Sequence, residues 1–359
     1  DTMLHAYTRG LIAACCALLA GMAPTQDARA LALGADFAAD YTVVSLGSVS
    51  GLPTLYGGLT FLNNSTLLIG GAANGASGRL YTIGVVRDGD GHVTGFSGSA
   101  TQYGSGIGTY NDGGVVFGPG GVLFTSRWPV NQLGQTKPGS SDEDKIINLG
   151  GLGVASSHAA LNFVPVGFDG AGKIKLVSWS GGQFYSGTLA PDGSGTFDIL
   201  GLTQVDLDPV AAGMQNVPGG PEGFVYIDGA NDGFSGFDSM LISEYSAGTV
   251  GAYRLDGDGN PLVSTRRTFV SGLTGAEGAT IDPLTGDFLF STFGGNNQIV
   301  AVRGFNVPVD PPTCGVPGTP PCDVPEPGSL WLASLAVLGL ASRRMRRSRS
   351  APVRAAAVT

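Results

Sequence analysis

Asp287-Phe288-Leu289-Phe290-Ser291-Thr292 centres on the unbroken apolar run Phe288-Leu289-Phe290. In an extended chain Phe288 and Phe290 point to one side and Leu289 to the other, so both faces ask for burial. Glu277-Gly278-Ala279-Thr280-Ile281 precedes it and Gln298-Ile299-Val300-Ala301-Val302 follows, giving three strands joined by turns. The same unit is read four more times upstream. Its openings are Gly57-Gly58-Leu59-Thr60-Phe61-Leu62, Gly113-Gly114-Val115-Val116-Phe117, Phe163-Val164-Pro165-Val166-Gly167-Phe168 and Glu222-Gly223-Phe224-Val225-Tyr226-Ile227. The opening glycines Gly58, Gly114, Gly167, Gly223 and Gly278 are spaced 56, 53, 56 and 55 residues apart.

A repeat of three or four short antiparallel strands cannot bury both of its faces alone. Stacked radially, each unit buries its faces against its neighbours, and glycines at the strand starts let the chains crowd near an axis. The expected fold is therefore all-β, a β-propeller of five blades, with six as the alternative. A β-sandwich and a β-solenoid are the rival architectures; a solenoid would need a much shorter repeat. The fifth unit stops after three strands, whereas Tyr41-Thr42-Val43-Val44-Ser45-Leu46 is a spare strand ahead of the first. Pairing the two would close the ring without an open edge.

Composition agrees. The chain has 60 Gly in 359 residues, far above the usual share of about 7%, with aliphatic and aromatic residues in short bursts throughout. Residues 31–310 hold 24 Asp and Glu against 11 Lys and Arg, a net charge of −13. Such a surface repels phosphate backbones, which excludes nucleic acid as a partner and favours divalent cations.

The two ends read as addresses. Residues 1–30 carry His5 and Arg9, an apolar stretch and Ala28-Arg29-Ala30, the small-x-small pattern of a signal-peptide cleavage site. The mature chain is expected to start near Leu31, so Asp1-Thr2, ahead of Met3, are expected to play no part in the fold. Residues 307–324 form a Pro/Gly-rich linker, semi-extended by composition. It contains Cys314 and Cys322, for which export allows a disulfide, with two free thiols as the other reading. Pro325-Glu326-Pro327 then leads into an apolar segment at 330–341 and an arginine cluster at 343–349, before a tail at 350–359. The apolar run is shorter than the ~20 residues of a full crossing, and the arginines behind it fit the positive-inside rule. Helices are expected in the signal and in the C-terminal apolar segment.

This order of tripeptide, apolar segment and basic cluster resembles the PEP-CTERM sorting signal of bacterial exported proteins. The resemblance implies processing by an exosortase-type enzyme, inner-membrane anchoring through the C-terminus before or in place of processing, and a destination at the cell surface or in the matrix. It also implies exopolysaccharide or biofilm association, with a glycan or another surface protein as partner. An unprocessed C-terminal anchor is the plain alternative.

Residues just before the inner strands should face the propeller mouth: Leu55-Tyr56, Asn111-Asp112, Asn162, Pro221-Glu222 and Ala276-Glu277. Pro221-Glu222-Gly223 and Ala276-Glu277-Gly278 resemble the blade-opening Glu-Gly motif of the calcium-binding lactonase propellers, the senescence-marker and gluconolactonase group. That resemblance implies a Ca2+ site in which Asp112, Glu222 and Glu277 supply oxygen ligands, with Asn111 or Asn162 assisting, and a metal-dependent hydrolase as the alternative to a catalytically silent binding or structural protein. A third reading gives the carboxylates a structural role, accepting backbone hydrogen bonds at a tight entry turn.

Other signals carry less chemistry. Asp88-Gly89-Asp90-Gly91 and Asp256-Gly257-Asp258-Gly259-Asn260 read as hairpin turns, since Pro261 and a missing terminal Glu break the EF-hand pattern. With only His92 and His158 outside the signal, zinc and a lyase needing paired histidines find no support, and nothing marks a nucleophile elbow. Tyr56, Tyr110, Trp128 and Trp179 are loop aromatics that could stack on sugars or pack between blades.

Overall fold

The computed structural model describes residues 30–307. The expected signal peptide, linker from 308, disulfide pair Cys314 and Cys322, and sorting signal with Pro325, Glu326 and Pro327 all lie outside the described residues. The chain opens with β1 (Ala32–Leu33) and β2 (Thr42–Gly47). Blade 1 is β3 (Leu59–Asn63), β4 (Thr66–Gly71), β5 (Arg79–Arg87) and β6 (Val93–Gln102). Blade 2 is β7 (Asn111–Phe117), β8 (Leu123–Arg127), β9 (Gln132–Thr136) and β10 (Lys145–Asn148). Blade 3 is β11 (His158–Phe163), β12 (Ile174–Ser178), β13 (Phe184–Pro191) and β14 (Phe197–Val205). Blade 4 is β15 (Pro221–Ile227), β16 (Ser239–Glu244), β17 (Thr249–Arg254) and β18 (Arg267–Ser271), and blade 5 is β19 (Ala276–Ile281), β20 (Phe288–Thr292) and β21 (Ile299–Arg303). Every sheet is antiparallel and runs outward in chain order from its first strand.

Five blades stand around one axis, and the spare strand closes the ring: β2 pairs with β21, Thr42 opposite Arg303 and Val44 opposite Ala301. Ahead of it, β1 adds a fifth strand to blade 4, Ala32 opposite Ser271. The first fifteen or so described residues thus staple the last two blades together. Phe37, fully buried between them, packs on Phe269 at 4.9 Å and Phe234 at 5.4 Å between ring centroids.

The core lies in the seams between blades, one apolar cluster per seam. Strand alternation decides which seam each residue serves. Phe288 and Phe290 enter the blade 4/5 cluster and Leu289 the blade 5/1 cluster, all three fully buried. Each such side chain contributes about 1.5–3 kcal/mol by leaving water. Nearest the axis, backbones approach too closely for a side chain. A Cβ on Gly58 would lie 2.8 Å from Gly113 O, and one on Gly278 would lie 2.5 Å from Gly58 Cα.

Blade 3 departs from the sequence reading. Its inner strand is β11, not the Phe163-Val164-Pro165-Val166-Gly167-Phe168 stretch, and Ala160 rather than Gly167 occupies the crowded inner position, against Gly114. Gly167 sits in the turn after β11 with φ 95°. The even glycine spacing is broken because blade 3 carries an early inner strand followed by a longer turn. The two Asp-Gly stretches are turns as expected: Asp88 N donates to His92 O, and Asp256 N to Asn260 O.

Candidate functional site

The inner strands β7, β15 and β19 all begin at the same end of the ring, and each carries a carboxylate as its second residue: Asp112, Glu222 and Glu277. The ladder is irregular there, between Asn111 and Val115, Pro221 and Phe224, and Ala276 and Ala279. These bulges turn the side chains inward. They are held from the next strand: Ser126 Oγ accepts from Gly114 N at 2.8 Å, and Ser291 Oγ accepts from Gly278 N at 2.9 Å and donates to Gly57 O at 2.6 Å. By register, blades 1 and 3 offer only Gly57 and Ala159 at this level.

One oxygen from each of the three carboxylates lies within 4.8 Å of the others. All three residues are buried, at 0%, 4% and 1% exposure for Asp112, Glu222 and Glu277. Asp112 Oδ2, Glu222 Oε2 and Glu277 Oε1 have no hydrogen-bond partner, and none of the ion pairs among the described residues involves them. Burial pushes the Asp112 carboxyl up to about 7, with hydrogen bonds to Glu277, Asn74 and the Gly113 amide partly offsetting it. Glu222 lies well above the usual carboxylate range, from burial and then the charge of Asp112; Glu277 does too, from burial and then the charges of Glu222 and Asp112.

Of the assisting residues, neither asparagine joins the cluster. Asn111 alternates with Asp112 on β7 and turns between blades: its Nδ2 donates to Gly108 O at 2.7 Å and its Oδ1 lies over Gly57 and Gly70. Asn162 stands at the far end of β11, not at the mouth, and donates to Phe224 O at 2.7 Å. The shift follows from the inner strand of blade 3 starting at His158. The residue that does reach Asp112 is Asn74, in the β4–β5 turn. With its amide nitrogen toward the mouth, Nδ2 donates to Asp112 Oδ1 at 2.8 Å. Nothing in the residues around Asn74 signals this, because the contact crosses between blades.

The Gly113 amide offsets part of the rise of Asp112 and Glu222, yet each of the three carboxylates still keeps one oxygen without a hydrogen-bond partner, more than a pure capping role would leave. Three hard oxygen donors without an imidazole or thiolate suit Ca2+, Mg2+ or Mn2+ rather than zinc or copper. The chemistry of the donor set and the orphaned oxygens therefore fit a hard divalent cation. His158 is fully buried, its ring nitrogens at 3.2 Å from Gln132 O and 3.0 Å from Ala160 O. His92 pairs with Asp287 at 2.7 Å on the face opposite the mouth. Neither serves the site. Tyr56 is buried and exchanges hydrogen bonds with Val49, while Tyr110 lies under the Arg127 guanidinium; both are packing residues.

Fold and site together define a five-bladed β-propeller with an acidic axial mouth. Residues 323–347 match the PEP-CTERM protein-sorting motif, so the chain is marked for export and exosortase processing, and for membrane anchoring before that processing. No curated protein sequence matches the chain. Among solved structures it is similar to the Myxococcus xanthus glutaminyl cyclase, at 13% identity and a TM-score of 0.44 over 73% of this chain and 95% of that one. It is also similar to the PQQ-bound aldose sugar dehydrogenase of Streptomyces coelicolor, at 13% identity and TM-score 0.35 over 72% and 83%. A Thermus thermophilus putative glucose dehydrogenase aligns at 13% identity and TM-score 0.37 over 73% and 99%.

Proposed function

We propose that this chain is an exported, surface-directed binding protein whose propeller holds a divalent cation of the calcium type through Asp112, Glu222 and Glu277. The single observation that carries the reading is the convergence of three buried carboxylates, one oxygen of each within 4.8 Å of the others, where each residue also keeps an oxygen without a hydrogen-bond partner. Left ionised and empty-handed, such a cluster would be strongly destabilising; a hard cation turns it into a cross-link between blades 2, 4 and 5. The protein would enter the export route through the signal at 1–30 and reach the cell surface or matrix, with exopolysaccharide or a surface protein as partner and a Cys314–Cys322 disulfide closing the linker loop.

A calcium titration of the purified chain, followed by thermal melting, tests this. Calcium at one hundred times its Kd stabilises by about 2.7 kcal/mol, or roughly 5 °C for a domain of this size. An unchanged melting point, or an equal shift in Asp112→Asn, counts against the site. The same convergence also favours a second reading, a lactonase-like hydrolase in which the cation would supply Lewis acidity toward a substrate carbonyl. Calcium-dependent turnover of simple lactones, lost in Glu222→Gln, would establish it.

A further inference from the structure

The mouth repeats a second position. The first residue after the second strand of each blade is Ala72, Trp128, Trp179, Tyr245 and Phe293 in turn. In blades 2 to 5 its backbone N–H donates to the carbonyl just ahead of an inner strand: Trp128 to Tyr110 at 3.0 Å, Trp179 to Ser157 at 3.1 Å, Tyr245 to Gly220 at 2.8 Å and Phe293 to Gly275 at 2.7 Å. Tyr110, Gly220 and Gly275 each stand two residues before one of the three carboxylates. The same backbone frame thus fixes both tiers.

The four rings form a continuous collar. Trp128 meets Trp179 at 6.4 Å, Trp179 meets Tyr245 at 6.2 Å and Tyr245 meets Phe293 at 6.0 Å, edge to face throughout. All four are half-buried, leaving part of each ring open. Among the described hydrogen bonds, neither indole N–H nor the Tyr245 hydroxyl has a protein partner. The Tyr245 hydroxyl is held above its ordinary range by burial and then by the charges of Glu277, Glu222 and Asp112, so the collar and the floor share one field. Blade 1, with Ala72 and Gly57, lacks both an aromatic and a carboxylate at these two levels, and Asn74 from its β4–β5 turn reaches Asp112 instead.

We propose that the collar of Trp128, Trp179, Tyr245 and Phe293 and the carboxylate floor form one site for a saccharide, bridged to the floor by the cation. A ligand for this arrangement needs an apolar ring face for the aromatics, oxygens to accept from the free N–H groups, and oxygens to ligate a hard cation. A pyranose presents all three. An organic ammonium would suit the rings and the carboxylates but would compete with the cation, and a hard cation is what three carboxylates converging within 4.8 Å, each with an unpartnered oxygen, call for. Strand β21 ends at Arg303 at the opposite end of blade 5, and Asn306 N donates to Asn231 Oδ1 there at 2.8 Å. The last described residues, Asn306 and Val307, therefore lie on the face opposite the mouth.

This inference rests on the cation reading, and the test separates the two. The full chain is assayed for retention on immobilised glucans, chitin, galactans and uronic-acid polymers, with calcium or with EDTA, while terbium luminescence reports cation binding independently. The expected result is retention on at least one polymer with calcium, loss of it in EDTA, and at least tenfold weaker retention of Trp179→Ala and Trp128→Ala with terbium binding intact. Trp179→Phe should keep most of the binding, and circular dichroism checks that each variant is folded. Absence of terbium binding sinks the cation reading. With terbium bound, the saccharide site is overturned by no retention on any polymer, by retention that survives EDTA, by tryptophan variants that bind as wild type, or by tetramethylammonium displacing terbium.

Discussion

Glu277→Gln should change sign with the buffer. At a separation of 4.8 Å or less and an effective dielectric of about 20, each pair of ionised carboxylates repels by at least about 3.5 kcal/mol. Full ionisation would thus cost about 10 kcal/mol, comparable with the whole stability of a domain. The cation-free cluster must hold protons, as the rise of Asp112 to about 7 states. Because that folded-state value lies above the ordinary 3.8, cation-free stability falls as pH rises from about 4 to 7. Glu277→Gln removes two of the three repelling pairs and one cation ligand. In EDTA at pH 8 the variant should melt several degrees above wild type; in millimolar calcium the order should reverse. Thermal melts by circular dichroism at pH 5.5 and 8, with and without calcium, read this directly. A variant destabilised equally in calcium and EDTA would mean that Glu277 is a structural acceptor and the electrostatic argument is wrong.

Three further outcomes are expected. Ser291→Ala strips the partner from Gly278 N and from Gly57 O, both buried, and should cost about 2–3 kcal/mol, or a melting point lower by about 5 °C; a change under 1 °C would remove the serine from the closure of the ring. Phe37→Ala should cost about 3–5 kcal/mol and raise proteolysis near the N-terminus first, since this ring fastens β1 and β2 to blades 4 and 5; uniform proteolysis would argue against a staple. Burial holds His158 at about 4, below its ordinary 6.5, so the unfolded chain takes up a proton the folded one refuses and stability is lost as pH falls through that window, by about 3 kcal/mol. Chemical denaturation of His158→Gln between pH 6.5 and 4 should show a flatter acid limb than wild type, and identical slopes would refute the buried neutral imidazole.

The sequence by itself determined the repeat and therefore the architecture. Runs such as Phe288-Leu289-Phe290, apolar on both faces, admit few arrangements except stacked sheets, and the incomplete fifth unit with its spare partner at 41–46 already implied closure. It also carried Asp112, Glu222 and Glu277, because a residue beside an inner-strand glycine has one place to point. The aromatic half of the mouth is written in the sequence too, as an aromatic following Ser126-Arg127, Ser178, Ser243-Glu244 and Ser291-Thr292, but only Trp128 and Trp179 stand out as loop aromatics; the places of Tyr245 and Phe293 need the blade register. Local pattern could not decide the start of blade 3, where Ala160 replaces glycine and the spacing slips, and with it the place of Asn162. Nor could it reveal Asn74 beside Asp112 or four rings in contact. Those are meetings between blades, and their distances depend on how many blades share the circle and how each bulge turns its side chain, which ring closure alone sets.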